Sequence, residues 1–205
     1  QNKLIRLNPD GSKDTNFDIG TGFNGTWAMS TVIQSDGKIL VGGYFTTYNG
    51  ISQNRLIRLN TDGSKDTSFD IGTGFDADVS WVAIQPDGKI LVGGYFTTYN
   101  GISQNRFIRL NSDGSKDTSF NIGTGFNNMV STFTIQSDGR ILVGGVFTTF
   151  NGGLCNRFIS LNADGTKESN TTFYTGGGFD NSGVSSIKTQ SDGKILISGG
   201  FTSWQ

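Results

Sequence analysis

One pattern of about 51 residues is written four times in this chain, as copies 2–53, 54–104, 105–155 and 156–205. Asn2, Asn54, Asn105 and Asn156 each open a version of N-[KR]-[LF]-I-[RS]-L-N-x-D-G-[ST]-K. Each version runs on through T-G-F or G-G-F to Q-x-D-G-[KR]-I-L-[VI]-x-G-x-F-T. The second and third copies are identical at more than two thirds of their aligned positions. Self-similarity at a fixed period dictates a repeat fold, in which each copy buries its apolar surface against its neighbours.

The second copy shows what one unit is. Arg55–Asn60 reads as a strand, Asp62-Gly63 as a turn, and 65–70 as a shorter, more polar strand. After a glycine-bearing loop come a strand over 79–85, the turn Asp87-Gly88 and a strand over 89–97. Asp-Gly between apolar runs is a strong hairpin signal, because glycine accepts the positive φ that tight turns require. The dipeptide occurs eight times. Four strands per unit in two hairpins fit a propeller blade, with 79–85 and its equivalents innermost; leucine-rich and β-helical turns are shorter.

The fold class is therefore all-β: a β-propeller of four-stranded antiparallel blades, read as a single domain over 1–205. Composition agrees, with 31 Gly, 2 Pro and apolar residues that are mostly Ile, Leu, Val and Phe. A net charge of −1 with scattered charges offers little to a phosphate backbone, so no nucleic-acid partner is expected. No apolar run reaches the ~18 residues of a membrane span, so no membrane insertion is expected. The chain opens at Gln1 inside the repeat, which reads as a processed product or an excerpt of a longer protein.

The block Arg58-Leu59-Asn60, Asp62-Gly63, Phe69, Ile84-Gln85, Asp87-Gly88 and Gly93-Gly94 is similar as a set to the delta-sixty repeat, a bacterial β-propeller family. The resemblance spans essentially the whole chain and implies fold more than function. It implies a secreted, cell-surface or phage-associated (virion) setting without an assigned activity. The fourth copy departs most, with Ser160 for Arg, extra residues around 169–172, and Ser198 for the first Gly.

The ends are complementary, since the chain starts on the first hairpin of a copy and stops after the second. Blades over 26–70, 78–121 and 129–173 follow, and 183–203 would join 2–18 as a fourth. Either that pairing closes a four-blade ring or the chain is an arc of something larger. Both Asp-Gly turns of a unit should share one face of the disc. The connections at Tyr48–Ser52, Tyr99–Ser103 and 150–154, and the divergent stretches after T-G-F or G-G-F, should share the other.

The chemistry is mostly negative. There is no His, which removes Ser-His-Asp and Cys-His catalysis and the usual zinc sites. Cys155 is alone and reads as a buried or incidental thiol. Glu168 is the only Glu, and most Asp recur at turn positions in every copy, whereas a glycosidase pair should occur once. The N-x-D-G-S-K-D loop is short of ligands for calcium and reads as a plain turn. No enzyme, cofactor or metal is expected.

Periodic Phe residues read as core. Trp27, Tyr48, Asn49, Asp78, Trp81, Tyr99, Asn100, Phe150, Asn151 and Trp204 lie in or beside the long connections. Flat aromatics flanked by polar side chains there could stack on a sugar ring or anchor a protein. Two function classes stand: a recognition module for a glycan or protein partner, and a structural spacer or assembly domain of a larger chain or complex.

Overall fold

The Asp-Gly hairpins form as expected in the computed structural model, which describes residues 3–169, 173 and 176–205. In the first blade, β1 (Trp27–Ile33) turns at Asp36-Gly37 into β2 (Ile39–Tyr44). A small hairpin of β3 (Thr47–Tyr48) and β4 (Ile51–Ser52) then leads to β5 (Leu56–Leu59). The series repeats as β6 (Val79–Ile84), β7 (Ile90–Gly94), β8 (Thr98–Tyr99), β9 (Ile102–Ser103) and β10 (Phe107–Leu110). It repeats again as β11 (Val130–Ile135), β12 (Ile141–Gly145), β13 (Thr149–Phe150), β14 (Gly153–Leu154) and β15 (Phe158–Leu161). Then β16 (Val184–Thr189) and β17 (Ile195–Gly199) follow; the described residues contain no helix.

Each blade straddles two copies, as the sequence phase requires. β2 of the first copy pairs antiparallel with β5 of the second, placing Ile39 opposite Leu59 and Gly42 opposite Leu56. β7 pairs with β10 and β12 with β15 in the same register. Every inner strand carries a bulge at the same place, such as between Val79 and Trp81. A bulge bends the strand locally and sharpens its twist.

The expected fourth strand over 65–70 shrinks to a single bridge per blade: Leu59 to Lys65, Leu110 to Lys116 and Leu161 to Lys167. The cause lies one residue later. Asp66 Oδ1 accepts the Ser68 N–H at 3.0 Å, a local turn that curls the backbone off the ladder. Its other oxygen holds Arg58 Nε at 2.7 Å and Lys38 Nζ at 2.9 Å.

The core lies between blades. Leu40 and Leu56 on the first blade meet Val79, Val82, Ile90, Val92, Ile108 and Leu110 of the second. Leu91 and Phe107 meet Val130, Phe133, Ile141, Val143, Ile159 and Leu161 in the next interface. Burying each such side chain stabilises by about 2 kcal/mol. The Gly-Gly pairs sit where blades approach closest. A Cβ on Gly42, Gly93 or Gly144 would fall 2.5, 2.7 or 2.5 Å from the Cγ1 of Val79, Val130 or Val184.

Inner strands pack in the order β1, β6, β11, β16, with no comparable contact between β16 and β1. Among the described residues, no backbone pairing joins 3–7 to β17; Leu7 bridges Lys13 instead. Closure by pairing of the two terminal segments is therefore not observed, and the fourth blade is a two-stranded sheet. Asn2 and the extra residues 170–172 lie outside the described residues. A second correction concerns the faces. The Tyr48 hydroxyl donates to the carbonyl of Gly63, so the small hairpin and the Asp-Gly turn assigned to opposite faces touch along the outer margin.

Candidate functional site

A continuous strip of aromatic and charged side chains runs across the first two blades, at the end of β2 remote from the Asp36-Gly37 turn. Trp27 opens β1 and lies opposite Tyr44, the last residue of β2. The Arg55 guanidinium sits 4.5 Å from the centre of the Tyr44 ring, and its Nη1 is 3.9 Å from Asp78 Oδ1. The Asp78 carbonyl accepts the Tyr95 N–H at 2.8 Å, and Arg106 stacks on the Tyr95 ring at 5.1 Å. Trp27 is 62% exposed, Tyr44 41% and Tyr95 48%, so all three aromatic side chains reach solvent.

Backbone geometry places the two arginines. Arg55 and Arg106 hold φ at 69° each, in the left-handed region, which costs a residue other than glycine about 1 kcal/mol. In return the Arg55 N–H reaches the Phe45 carbonyl and its own carbonyl accepts the Gly43 N–H, both at 3.0 Å. The β2–β5 ladder is thus extended and the guanidinium is thrown onto Tyr44. Arg55 Nε and Arg106 Nε are buried without a hydrogen-bond partner. Burial pushes the Asp78 carboxyl up, and the nearby charge of Arg55 only partly opposes it.

The strip is local although its scaffold is periodic. The position of Tyr44 is taken by Tyr95, Val146 and Gly200 in the other copies, and that of Trp27 by Asp78, Met129 and Gly183. At these two positions aromatic side chains therefore occur only in the first two blades. Trp27 and Asp78 were expected from the sequence; Tyr44, Arg55, Tyr95 and Arg106 were not. A signal existed, because Tyr44 occupies the variable position in an otherwise constant G-x-F-T.

Several expected ligand residues are placed elsewhere. Tyr48, Tyr99 and Phe150 are core residues, 4–5% exposed and stacked at 4.9, 4.7 and 4.8 Å on Phe23, Phe75 and Phe126. Their apolar rings fill the space beneath Asn-Gly turns, so they offer no face to a ligand. Burial, seconded by Asp18 and Asp62, pushes the Tyr48 hydroxyl up to about 12. Asn49, Asn100 and Asn151 occupy those turns with positive φ, and each Oδ1 accepts from the backbone and hydroxyl of Thr21, Thr73 or Thr124. Trp81 does not join the strip. It is half-buried on β6 and lines a central depression of about 640 Å³ with Val32, Ile33, Phe133 and Lys188. Trp204 is 47% exposed and lies against Phe179 at 4.6 Å.

The divergent stretches are also less free than they read. Their first residue is Asn24, Asp76, Asn127 or Asp180, and each Oδ1 accepts two backbone N–H groups, as Asp76 does from Thr97 at 2.8 Å and Thr98 at 2.9 Å. In the Asp-Gly turns, Asp62 Oδ1 is occupied by the Ser64 N–H at 2.9 Å and hydroxyl at 2.6 Å. No group of three metal-ligating side chains occurs among the described residues. Cys155 is buried, which pushes its thiol up to about 12.

No helix among the described residues is long and apolar enough to cross a membrane. No curated protein matches the chain. Among solved structures, the extracellular domain of a candidate one component system, BT4673, from B. thetaiotaomicron is 15% identical, with a TM-score of 0.47. That match covers 92% of this chain and 27% of that one. A protein of unknown function from Bacteroides caccae is 13% identical, with a TM-score of 0.32, over 83% of this chain and 76% of that one. The family model described as a domain of unknown function (DUF5122) β-propeller matches residues 1–17, 34–69, 85–120 and 136–170, more than half of the chain, and the chain belongs to that family.

Proposed function

We propose that this domain is a non-catalytic recognition module, a propeller of the delta-sixty repeat type that binds a glycan or protein segment through the strip from Trp27 to Arg106. The single observation behind this reading is the asymmetry of the strip. Structurally equivalent positions carry Tyr, Tyr, Val and Gly, so the exposed aromatics are not demanded by the scaffold. Exposed Trp and Tyr supply affinity without net charge, and Arg55, Asp78 and Arg106 beside them supply orientation by hydrogen bonding. A non-catalytic role is supported by the absence of His and by the use of the recurrent Asp side chains inside turns. We place the module outside the cell or on a virion, following the family resemblance.

The test uses Trp27→Ala, Tyr44→Ala and Tyr95→Ala in a glycan array and a screen of surface-protein peptides. All three side chains are exposed, so melting temperature should change little. Binding that falls at least tenfold in each variant supports the strip, and binding that survives all three removes it. A structural or assembly role has its own observation in the two unpaired sheet edges at the ends of the arc.

A further inference from the structure

The arc ends in two surfaces that match each other. At its tail, β17 lacks the outer strand that β2, β7 and β12 each hold, and Leu196 is 59% exposed where Leu40, Leu91 and Leu142 are fully buried. At its head, residues 4–7 carry the same L-I-R-L as β5, yet Ile5 and Leu7 are each 54% exposed where Ile57 and Leu59 are buried. Beside β17 lies an apolar cavity of about 430 Å³, lined by Phe158, Phe173, Phe179, Ile197, Phe201 and Trp204. Transferring the register of β2 with β5 sets Ile195 against Leu7, Ile197 against Ile5 and Ser198 against Leu4. Ile5 and Leu7 then occupy the cavity as Ile57 and Leu59 occupy their own interface.

Charge repeats the match. In each complete blade a cation of the middle hairpin reaches an acid of the outer one: Lys38 to Asp66 at 2.9 Å, Lys89 to Asp117 at 2.9 Å, Arg140 to Glu168 at 3.3 Å. The equivalents at the two ends are Lys194 and Asp14. Lys194 reaches only Asp192 of its own turn, and Asp14 holds Arg6 without a second cation.

Size gives the third match. At the three internal interfaces a glycine faces a valine: Gly42 with Val79, Gly93 with Val130, Gly144 with Val184, each too close to admit a Cβ. The glycine position in β17 is Ser198, and the valine position in β1 is Ala28, by the bulged register that pairs Ala28 with Gly43 and Val79 with Gly94. The larger residue at the tail is thus met by the smaller one at the head. Steric exclusion between side chains makes such a paired change meaningful only if these surfaces touch.

We propose that copies of this chain join head to tail: β17 of one copy takes strand 4–7 of a second copy as its outer strand, with Lys194 on Asp14 and Ser198 on Ala28. A second copy fits because each copy carries both matching surfaces, Lys194 and Asp14 without their cross-hairpin partners and the Ser198 and Ala28 pair, and does not bring them together itself. Pairing backbone edges across chains is the strand-addition mode of recognition.

The test is mass by light scattering and sedimentation of the whole chain, with Ile5→Asp blocking the head and Leu196→Asp blocking the tail. Both sites are exposed in the single chain, so each variant should fold, as circular dichroism will report. Wild type should exceed the mass of one chain and dissociate on dilution. Each variant alone should be a single chain, and their mixture should stop at two chains, because one good head and one good tail remain. Wild type that stays a single chain at its highest soluble concentration overturns the proposal. That includes the case in which Ile5→Asp lowers its melting temperature, which would mean that the head folds back onto its own tail. Variants that assemble as wild type does also overturn it.

Discussion

Replacing Gly93 with Ala should be harmful for one reason only, and a second substitution should cure it. The new Cβ would sit 2.7 Å from Val130 Cγ1 and 3.1 Å from Phe133 Cε1, closer than carbon atoms pack. Overpacking of this kind costs about 1–3 kcal/mol, offset by the 0.5–1 kcal/mol or so that Ala gains over Gly in backbone entropy, for a net loss of about 0.5–2 kcal/mol. Val130 is fully buried, and Val130→Ala alone leaves a cavity worth about 2 kcal/mol. In the double variant the added methyl occupies the space that the valine methyls vacate. Its loss should fall short of the summed single losses by about 1–2 kcal/mol, measured by urea unfolding of all four proteins as a double-mutant cycle. Gly94→Ala is the control, because its Cβ would meet the Asp78 backbone carbonyl at 2.1 Å, which no side-chain deletion relieves. Additivity within about 0.5 kcal/mol would refute the account of the blade interface and the size match between Ser198 and Ala28.

Asp117→Asn should destabilise by about 3 kcal/mol, seen in the same urea assay, because it strips the counter-charge from buried Arg109, held at 2.7 Å. Burial opposes ionisation of Asp66 and Asp117, but bonds from Lys38 or Lys89, from Ser68 or Ser119 and from Arg58 or Arg109 outweigh it and hold both carboxyls well below the usual 3.8. Their contribution is therefore complete above about pH 4 and is lost as pH falls below it through the depressed values, so a melting curve should drop in acid, and less steeply in Asp117→Asn. Cys155 should resist a thiol-labelling reagent in the native protein and react on unfolding, which a labelling time course will show; rapid native labelling would contradict its burial. Melting temperature should be the same in chelator and in added calcium, since the turn oxygens of Asp62 and its equivalents are occupied by their own backbone; a rise of several degrees with calcium would count against that.

Much of the fold was legible in the sequence because its determinants are local and repeated. Asp-Gly turns, apolar runs and the phase of the copies fixed the hairpins, and with them the pairing of β2 with β5 across the copy boundary. Periodic Phe residues had to be core, since a side chain printed in every copy answers to a contact made in every copy. Three things depended on tertiary structure. The aromatic ring of T-[YF]-N-G reads as an exposed loop residue, yet the turn folds over it, and Tyr48 and Tyr99 are buried by contacts with Phe23 and Phe75, distant in sequence. The strip from Trp27 to Arg106 combines residues about 80 positions apart, brought side by side by the stacking of two blades that no local pattern encodes. The arc itself is the third. Whether complementary ends meet depends on the angle between blades, the sum of side-chain packing over three interfaces, whereas the strand pattern specifies only that the ends would match.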